Sequence, residues 1–153
     1  MRISAKADYA VRAAAELAAA ADEGPRTSEE LAAAQQIPRK FLEAILTALR
    51  SEGLVVSQRG LGGGYRLARP ASEISVADVV RAVDGPLVYV RGERPSELDY
   101  QGPAAPLLEV WVALRANVRA VLEAVTLADL AGGALPADVR ALLADEGAWT
   151  HPQ

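Results

Sequence analysis

The sequence predicts a mainly helical domain carrying one small β-hairpin. Three observations lead to that expectation. Apolar residues recur at helical spacing through the first fifty positions, with breakers and capping patterns between the runs. Two short apolar stretches, LVVS at 54–57 and YRLA at 65–68, flank the glycine-rich RGLGGG at 59–64, which reads as strand, turn and strand. Beyond the hairpin the helical pattern resumes. Helices followed by such a hairpin are the layout of a winged helix-turn-helix, which sets one helix in the DNA major groove and a hairpin beside it.

The elements follow in chain order. Ala7, Ala10, Val11, Ala14, Leu17, Ala18 and Ala21 recur at steps of three and four, predicting a helix over 4–21 that Asp22-Glu23-Gly24-Pro25 ends. Thr27 and Glu30 stand at capping-box spacing and open a short second helix through Ala34. Gln35-Gln36-Ile37 is the turn, and Pro38 suits the first position of the next helix, where a missing N–H costs nothing. That third helix is expected over 38–52, with Phe41, Leu42, Ile45, Leu46 and Leu49 inward and Gly53 as its stop. Ser75 and Asp78 form another capping pattern before Val76, Val79, Val80 and Val83. Residues 87–90 suggest a short extended segment, and 91–106, rich in charge, glycine and proline, an irregular connection. The longest helix is expected over 105–125, where Leu107, Trp111, Leu114, Val118, Val121 and Val125 alternate steps of four and three, a coiled-coil seam. Thr126 and Asp129 cap a final short helix, Gly132-Gly133 and Pro136 break it, and 137–146 have room for another amphipathic turn or two. The corresponding domain plan is a DNA-binding unit at 1–85, a connection at 86–106, a dimerisation helix with its short follower at 107–131 and a tail at 132–153.

Composition bounds the function. The 153 residues are 51% hydrophobic and 24% charged, as in a globular chain, but only 5% aromatic, which makes a thin core and favours a partner subunit. The net charge of −4 is unevenly spread. Residues 1–69 hold ten Lys/Arg against eight Asp/Glu (+2), residues 70–153 hold six against twelve (−6), and 37–69 hold six against two (+4). Screening limits charges to about 8–10 Å of reach, so a local cationic surface binds phosphates even on an acidic chain. The start MRISAKADYA lacks the apolar stretch of a signal peptide, and no long apolar run is free of charge. There is no cysteine, hence no disulfide, and the reading is a cytoplasmic protein with no membrane partner.

The chemistry-bearing residues fall into three groups. Pro38, Arg39, Lys40 and Glu43 stand at the start of the third helix, where side chains reach base edges and free N–H groups hold phosphate. Arg59 with its glycines suits a wing tip against the minor groove; the glycines lead into a strand, so a nucleotide P-loop is excluded. The seam at 107–125 reads either as a core helix of its own chain or as a helix packed on its twin, and the second places two reading helices at half-site spacing. Catalysis finds no residues: His151 is the only histidine, and no nucleophile–base set is clustered.

At these residues a resemblance emerges. MRISAKADYAVRAAAELA, FLEAILTALRSEGLVVSQRGLGGGYRLAR with the following ISVADVVRAVDGP, and TLADLA resemble the Rrf2 family of winged-helix transcription regulators over about residues 1–130. The resemblance implies a homodimer with crossed long helices on a pseudo-palindromic operator, commonly a repressor. It implies that Ser4 and Lys6 touch the DNA backbone, that Ser28 and the 38–43 positions face the major groove, and that Arg59, Gly62 and Gly63 form the minor-groove wing. Cluster-binding members carry three cysteines before the long helix. Here VYVRGERPSELDYQGPAAP has none, and Arg12, in the area of a further ligand beside Asp8, cannot ligate. No cofactor is expected. A signal would then enter through a small molecule or a protein, with Tyr9, Leu87, Tyr89, Arg91, Tyr100 and Trp111 as candidate walls, although interdomain core is the preferred reading of the same residues. The alternative function is a protein-interaction module that keeps the fold and no longer reads DNA.

Overall fold

The computed structural model describes residues 1–151. Its helices are α1 (Ala5–Ala19), α2 (Ser28–Gln35), α3 (Arg39–Ser51), α4 (Val76–Asp84), α5 (Leu107–Leu122), α6 (Leu127–Gly132) and α7 (Ala137–Leu142). Strands β1 (Val55–Gln58) and β2 (Gly64–Leu67) form the hairpin. The winged helix-turn-helix class read from the pattern is what the chain adopts.

The capping logic holds in detail. Thr27 with Glu30, Ser75 with Asp78 and Thr126 with Asp129 each form a reciprocal box, satisfying free donors at the starts of α2, α4 and α6. Two boundaries differ from expectation. Pro38 is the residue before α3 rather than its first member, because the chain leaves the left-handed Gln36 (φ 53) in an extended path. Its carbonyl accepts from the Phe41 and Leu42 N–H groups at 3.0 and 3.1 Å. The long helix runs 107–122, shorter than the expected 105–125.

α1 is the central strut and touches α2, α3, α4, α6 and β2. Its buried face is nearly all alanine (Ala7, Ala10, Ala13, Ala14), which lets neighbouring helices approach closely. The larger side chains come from Leu31, Leu42, Ile45, Leu46, Leu49 and Ile74 around it.

Tertiary structure regroups two segments. α6 belongs to this core and not to the long helix: Leu127 is fully buried there, and α6 packs on α1. The Val76 N–H donates to the Val125 carbonyl and the Leu127 N–H to the Ile74 carbonyl, both at 2.9 Å, which staples the start of α6 to the start of α4. The connection at 91–106 is also more ordered than its composition foretold. Val90 and Glu93 exchange backbone hydrogen bonds of 2.9 and 3.0 Å across Arg91-Gly92, both at positive φ (54 and 80), as a type I′ turn requires. Short 3₁₀ turns follow at Pro95–Glu97 and Gly102–Ala104, with Pro95 and Leu98 buried.

Candidate nucleic-acid interface

α2 and α3 meet at the turn through Leu31 and Ile37, both buried, so the start of α3 is held on a rigid corner. Pro38, Arg39, Lys40 and Glu43 are all exposed there. Arg39 reaches back to α2, its guanidinium 2.5 Å from the Glu29 carboxylate. Backbone hydrogen bonding at the start of α2, and next the Arg39 charge, hold the Glu29 carboxyl below the usual carboxylate range. Glu29 was absent from the sequence-based site. Its capping-turn position explained it locally, and only the packing of α2 on α3 brings it to Arg39. Lys40 lies over the Phe41 ring at 5.3 Å, leaving its ammonium at the surface.

The wing is a two-residue-wide ribbon. Its register pairs Val55 with Leu67, Val56 with Arg66, Ser57 with Tyr65 and Gln58 with Gly64. Its base is fastened to the segment before α2, where Arg26 and Tyr65 exchange hydrogen bonds of 2.9 and 2.7 Å. Gly64 makes this close approach, at φ 146; a Cβ there would lie 2.5 Å from the Arg26 carbonyl oxygen. At the tip, Gly63 turns so tightly that a Cβ would fall 2.2 Å from the Gln58 oxygen. Arg59, Leu61 and Gly62 are exposed, Leu61 completely. Arg59 forms no ion pair among the described residues. Arg66 projects from β2, opposite Val56, as a further exposed cation that the sequence reading left out.

Three outlying site residues have specific neighbours. The Ser4 hydroxyl caps α1 by accepting from the Ala7 N–H at 2.9 Å, and it donates to the Asp84 carboxylate. That hydroxyl thus has two partners within the chain, one of them at the surface. Lys6 is half-buried in the first turn of α1. Ser28, first residue of α2, donates to Glu29 at 3.3 Å.

The residues grouped as effector walls do not make one pocket. Tyr9 packs on Phe41 (ring centroids 5.6 Å apart) and under Arg12 (4.7 Å), between α1 and α3. Leu87 and Tyr89 border a separate hollow of about 490 Å³ with Met1, Ser4 and Asp84. Tyr100 accepts from the Trp111 indole N–H at 3.0 Å beside α5. Arg91 sits exposed at the tip of its turn. Their spacing along the chain carries no sign of these separate locations.

The donor set also decides whether an iron–sulfur cluster fits. The chain has no thiolate, and no three His, Asp or Glu side chains converge among the described residues. Asp8 pairs with Arg12 at 3.0 Å, and Arg12 donates to the Gln35 carbonyl at 2.9 Å, bracing α1 against the end of α2. These residues do not fit a cluster.

α5 lies outside the main core. None of its residues is buried, and Val110 and Val112 are openly exposed. Leu107, Trp111, Leu114, Val118 and Val121 are half-buried, whereas Val125 lies beyond the helix end and is buried in its own chain. Met1 and Ile3 form with Asn117, Val118, Val121 and Leu122 an open apolar groove of about 290 Å³.

The match to known proteins agrees with this geometry. The model of the Rrf2 family, described as iron-dependent transcriptional regulator, matches residues 3–133. This chain belongs to the Rrf2 family. A Mycobacterium tuberculosis protein, Rv1287, provisionally named an HTH-type transcriptional regulator, is 58% identical over 95% of this chain and 90% of its own length. The HTH-type transcriptional regulator CymR of Bacillus subtilis is 35% identical over 86% of this chain and 90% of its own. Among solved structures, CymR, the global cysteine regulator of B. subtilis, superposes with a TM-score of 0.74 at 34% identity, covering 87% of this chain and 98% of that one. The IscR of T. potens gives 0.69 at 30% identity, covering 100% and 93%. The Rrf2 family consists of DNA-binding transcription regulators and not enzymes, in keeping with the missing catalytic set. The family is described as iron-dependent, whereas this chain has no cysteine to hold iron. No helix among the described residues is long and apolar enough to cross a membrane.

Proposed function

We propose that the chain is a sequence-specific regulator that binds a pseudo-palindromic operator as a homodimer and represses transcription from the cytoplasm. The observation that carries this reading is the exposed start of α3, with Arg39, Lys40 and Glu43, beside a wing anchored at its base by Arg26 and Tyr65. In this reading α3 enters the major groove, Arg39 or Lys40 meets guanine or phosphate, and Glu43 accepts from cytosine. Ser28 approaches the backbone from α2. Arg59 enters the minor groove between Gly62, Gly63 and the strand, where negative potential is strongest at A·T-rich steps. Arg39 leaves Glu29 for the DNA, and the cations that meet phosphate release its counterions, so operator binding weakens as salt rises.

The dimer reading is supported by the unburied α5 and by the apolar groove along Val118 and Val121. Burying Leu107, Trp111, Leu114, Val118 and Val121 against a twin removes apolar surface that the lone chain leaves wet.

Gel-shift titration on an operator found by genomic footprinting tests the reading. Arg39→Ala and Lys40→Ala should each lower affinity, and Arg59→Ala should lower it most on A·T-rich flanks. Unchanged affinity in all three would remove α3 and the wing from the interface.

A further inference from the structure

We propose that Arg81, Arg94, Arg115 and Arg119 form a binding site for a small multivalent anion, carboxylate or phosphoryl, between α4 and α5. The proposal rests on the regulator reading and deepens it by giving the regulator an effector site.

Residues 70–153 carry six arginines against twelve acids, yet four of the six surround one hollow. The cavity measures about 270 Å³ and is lined by Arg81, Arg94 and Arg115 with Gly85 and Pro86. A smaller recess beside it brings Arg119 to Arg81 and Arg115. Among the described residues only Glu123 forms ion pairs with this group, with Arg81 and, at 2.9 Å, with Arg119, while the Glu97 carboxylate accepts from the Arg94 backbone N–H at 3.4 Å. Arg94 and Arg115 pair with no carboxylate among the described residues. Four guanidinium groups against one ion-paired carboxylate leave positive charge in excess around a concave surface. Guanidinium forks match carboxylate and phosphate oxygens in pairs, so a di- or trianion is the complementary ligand. The volume lies just under the roughly 300–1,000 Å³ of ordinary ligand pockets, which limits the occupant to a compact metabolite.

The walls are ordered. Arg94 follows directly on the Arg91-Gly92 turn and precedes the buried Pro95. Arg115 and Arg119 lie one helical turn apart on α5, and Arg81 lies on α4. α4 packs on both α1 and α3. An anion gripped from α4 and α5 at once would therefore tie the long helix to the elements that orient the reading helix. A ligand acts on that orientation only as far as it prefers one arrangement.

Calorimetric titration of the full chain, without DNA and at constant ionic strength, tests the site with citrate and with pyrophosphate against a chloride control. One anion should bind per chain. Arg94→Gln and Arg115→Gln should each weaken it about tenfold, as expected for loss of a charged hydrogen bond. Glu123→Gln should tighten it, because Arg81 and Arg119 are released. Arg140→Gln, away from the hollow, should change nothing, and thermal melts confirm that each variant is folded. Stronger citrate binding identifies a carboxylate ligand and stronger pyrophosphate binding a phosphoryl one. Absence of binding above the chloride control, or equal affinity in the Arg94 and Arg115 variants, overturns the proposal. Operator binding is measured separately, so anion binding without operator binding would defeat the regulator reading and leave the site standing.

Discussion

Replacing Gly64 by alanine perturbs the wing at its root. The residue sits at φ 146, and its added Cβ would lie 2.5 Å from the Arg26 oxygen, 2.6 Å from the Arg26 carbonyl carbon and 3.0 Å from the Thr27 nitrogen. All three are backbone atoms, so no side chain can swing aside. Backbone strain of this kind costs about 1–3 kcal/mol, and forced overlap in a packed site another 1–3. A total of about 2–6 kcal/mol is a large share of the roughly 5–15 kcal/mol that holds a domain together. Gly62→Ala is the internal control. It shares a positive φ, at 75, but its Cβ would meet nothing within 4 Å. Only the left-handed penalty of about 1–2 kcal/mol applies there. At roughly 2–4 °C per kcal/mol for a chain of this size, circular-dichroism melts should separate the two variants by several degrees. Gly64→Ala should also lose operator affinity, because the Arg26–Tyr65 bridge that aims the hairpin must open. Equal melting temperatures for the two variants would refute the claim that the wing is fastened through Gly64.

Three other substitutions probe the remaining layers. Leu127→Ala should destabilise the fold by about 2–5 kcal/mol, measured by urea titration, since the side chain is fully buried in the core where α6 packs on α1; Leu61→Ala, wholly exposed on the wing, should leave stability unchanged. Val121→Glu should convert a dimer to a monomer in light scattering while the monomer stays folded, because that side chain faces the open apolar groove and not the main core. Glu123 carries a pH signature. Hydrogen bonds from Arg119 and then Arg81 hold its carboxyl at about 2, below its ordinary 4.5. A lowered folded-state value means its contribution is complete above about pH 4.5 and is lost as pH falls toward 2. The carboxylate is about a third exposed, so screening keeps that contribution to about 1 kcal/mol or less. The melting difference between the wild-type chain and Glu123→Gln should therefore shrink between pH 5 and 2, and a constant difference would remove the ion pairs from the stability balance.

Local chemistry determined what is local. The capping boxes at Thr27, Ser75 and Thr126, the breakers after α1 and the glycine-rich turn each act within a few residues, so the sequence by itself specified the helices, the hairpin and the exposed cations at the start of α3. The family resemblance was readable for the same reason, since its signature is the contiguous run from Phe41 to Arg69. Distances across the fold were not encoded that way. Only tertiary packing brought Glu29 to Arg39, stapled α6 to α4 through Val125 and Leu127, scattered Tyr9, Tyr89 and Trp111 into three places, and gathered Arg81, Arg94, Arg115 and Arg119 around one hollow. Period and spacing define which face of an element a residue occupies. Which other element meets that face depends on how small alanines let α1 sit at the centre of the bundle, a property of all the helices together and of no single segment.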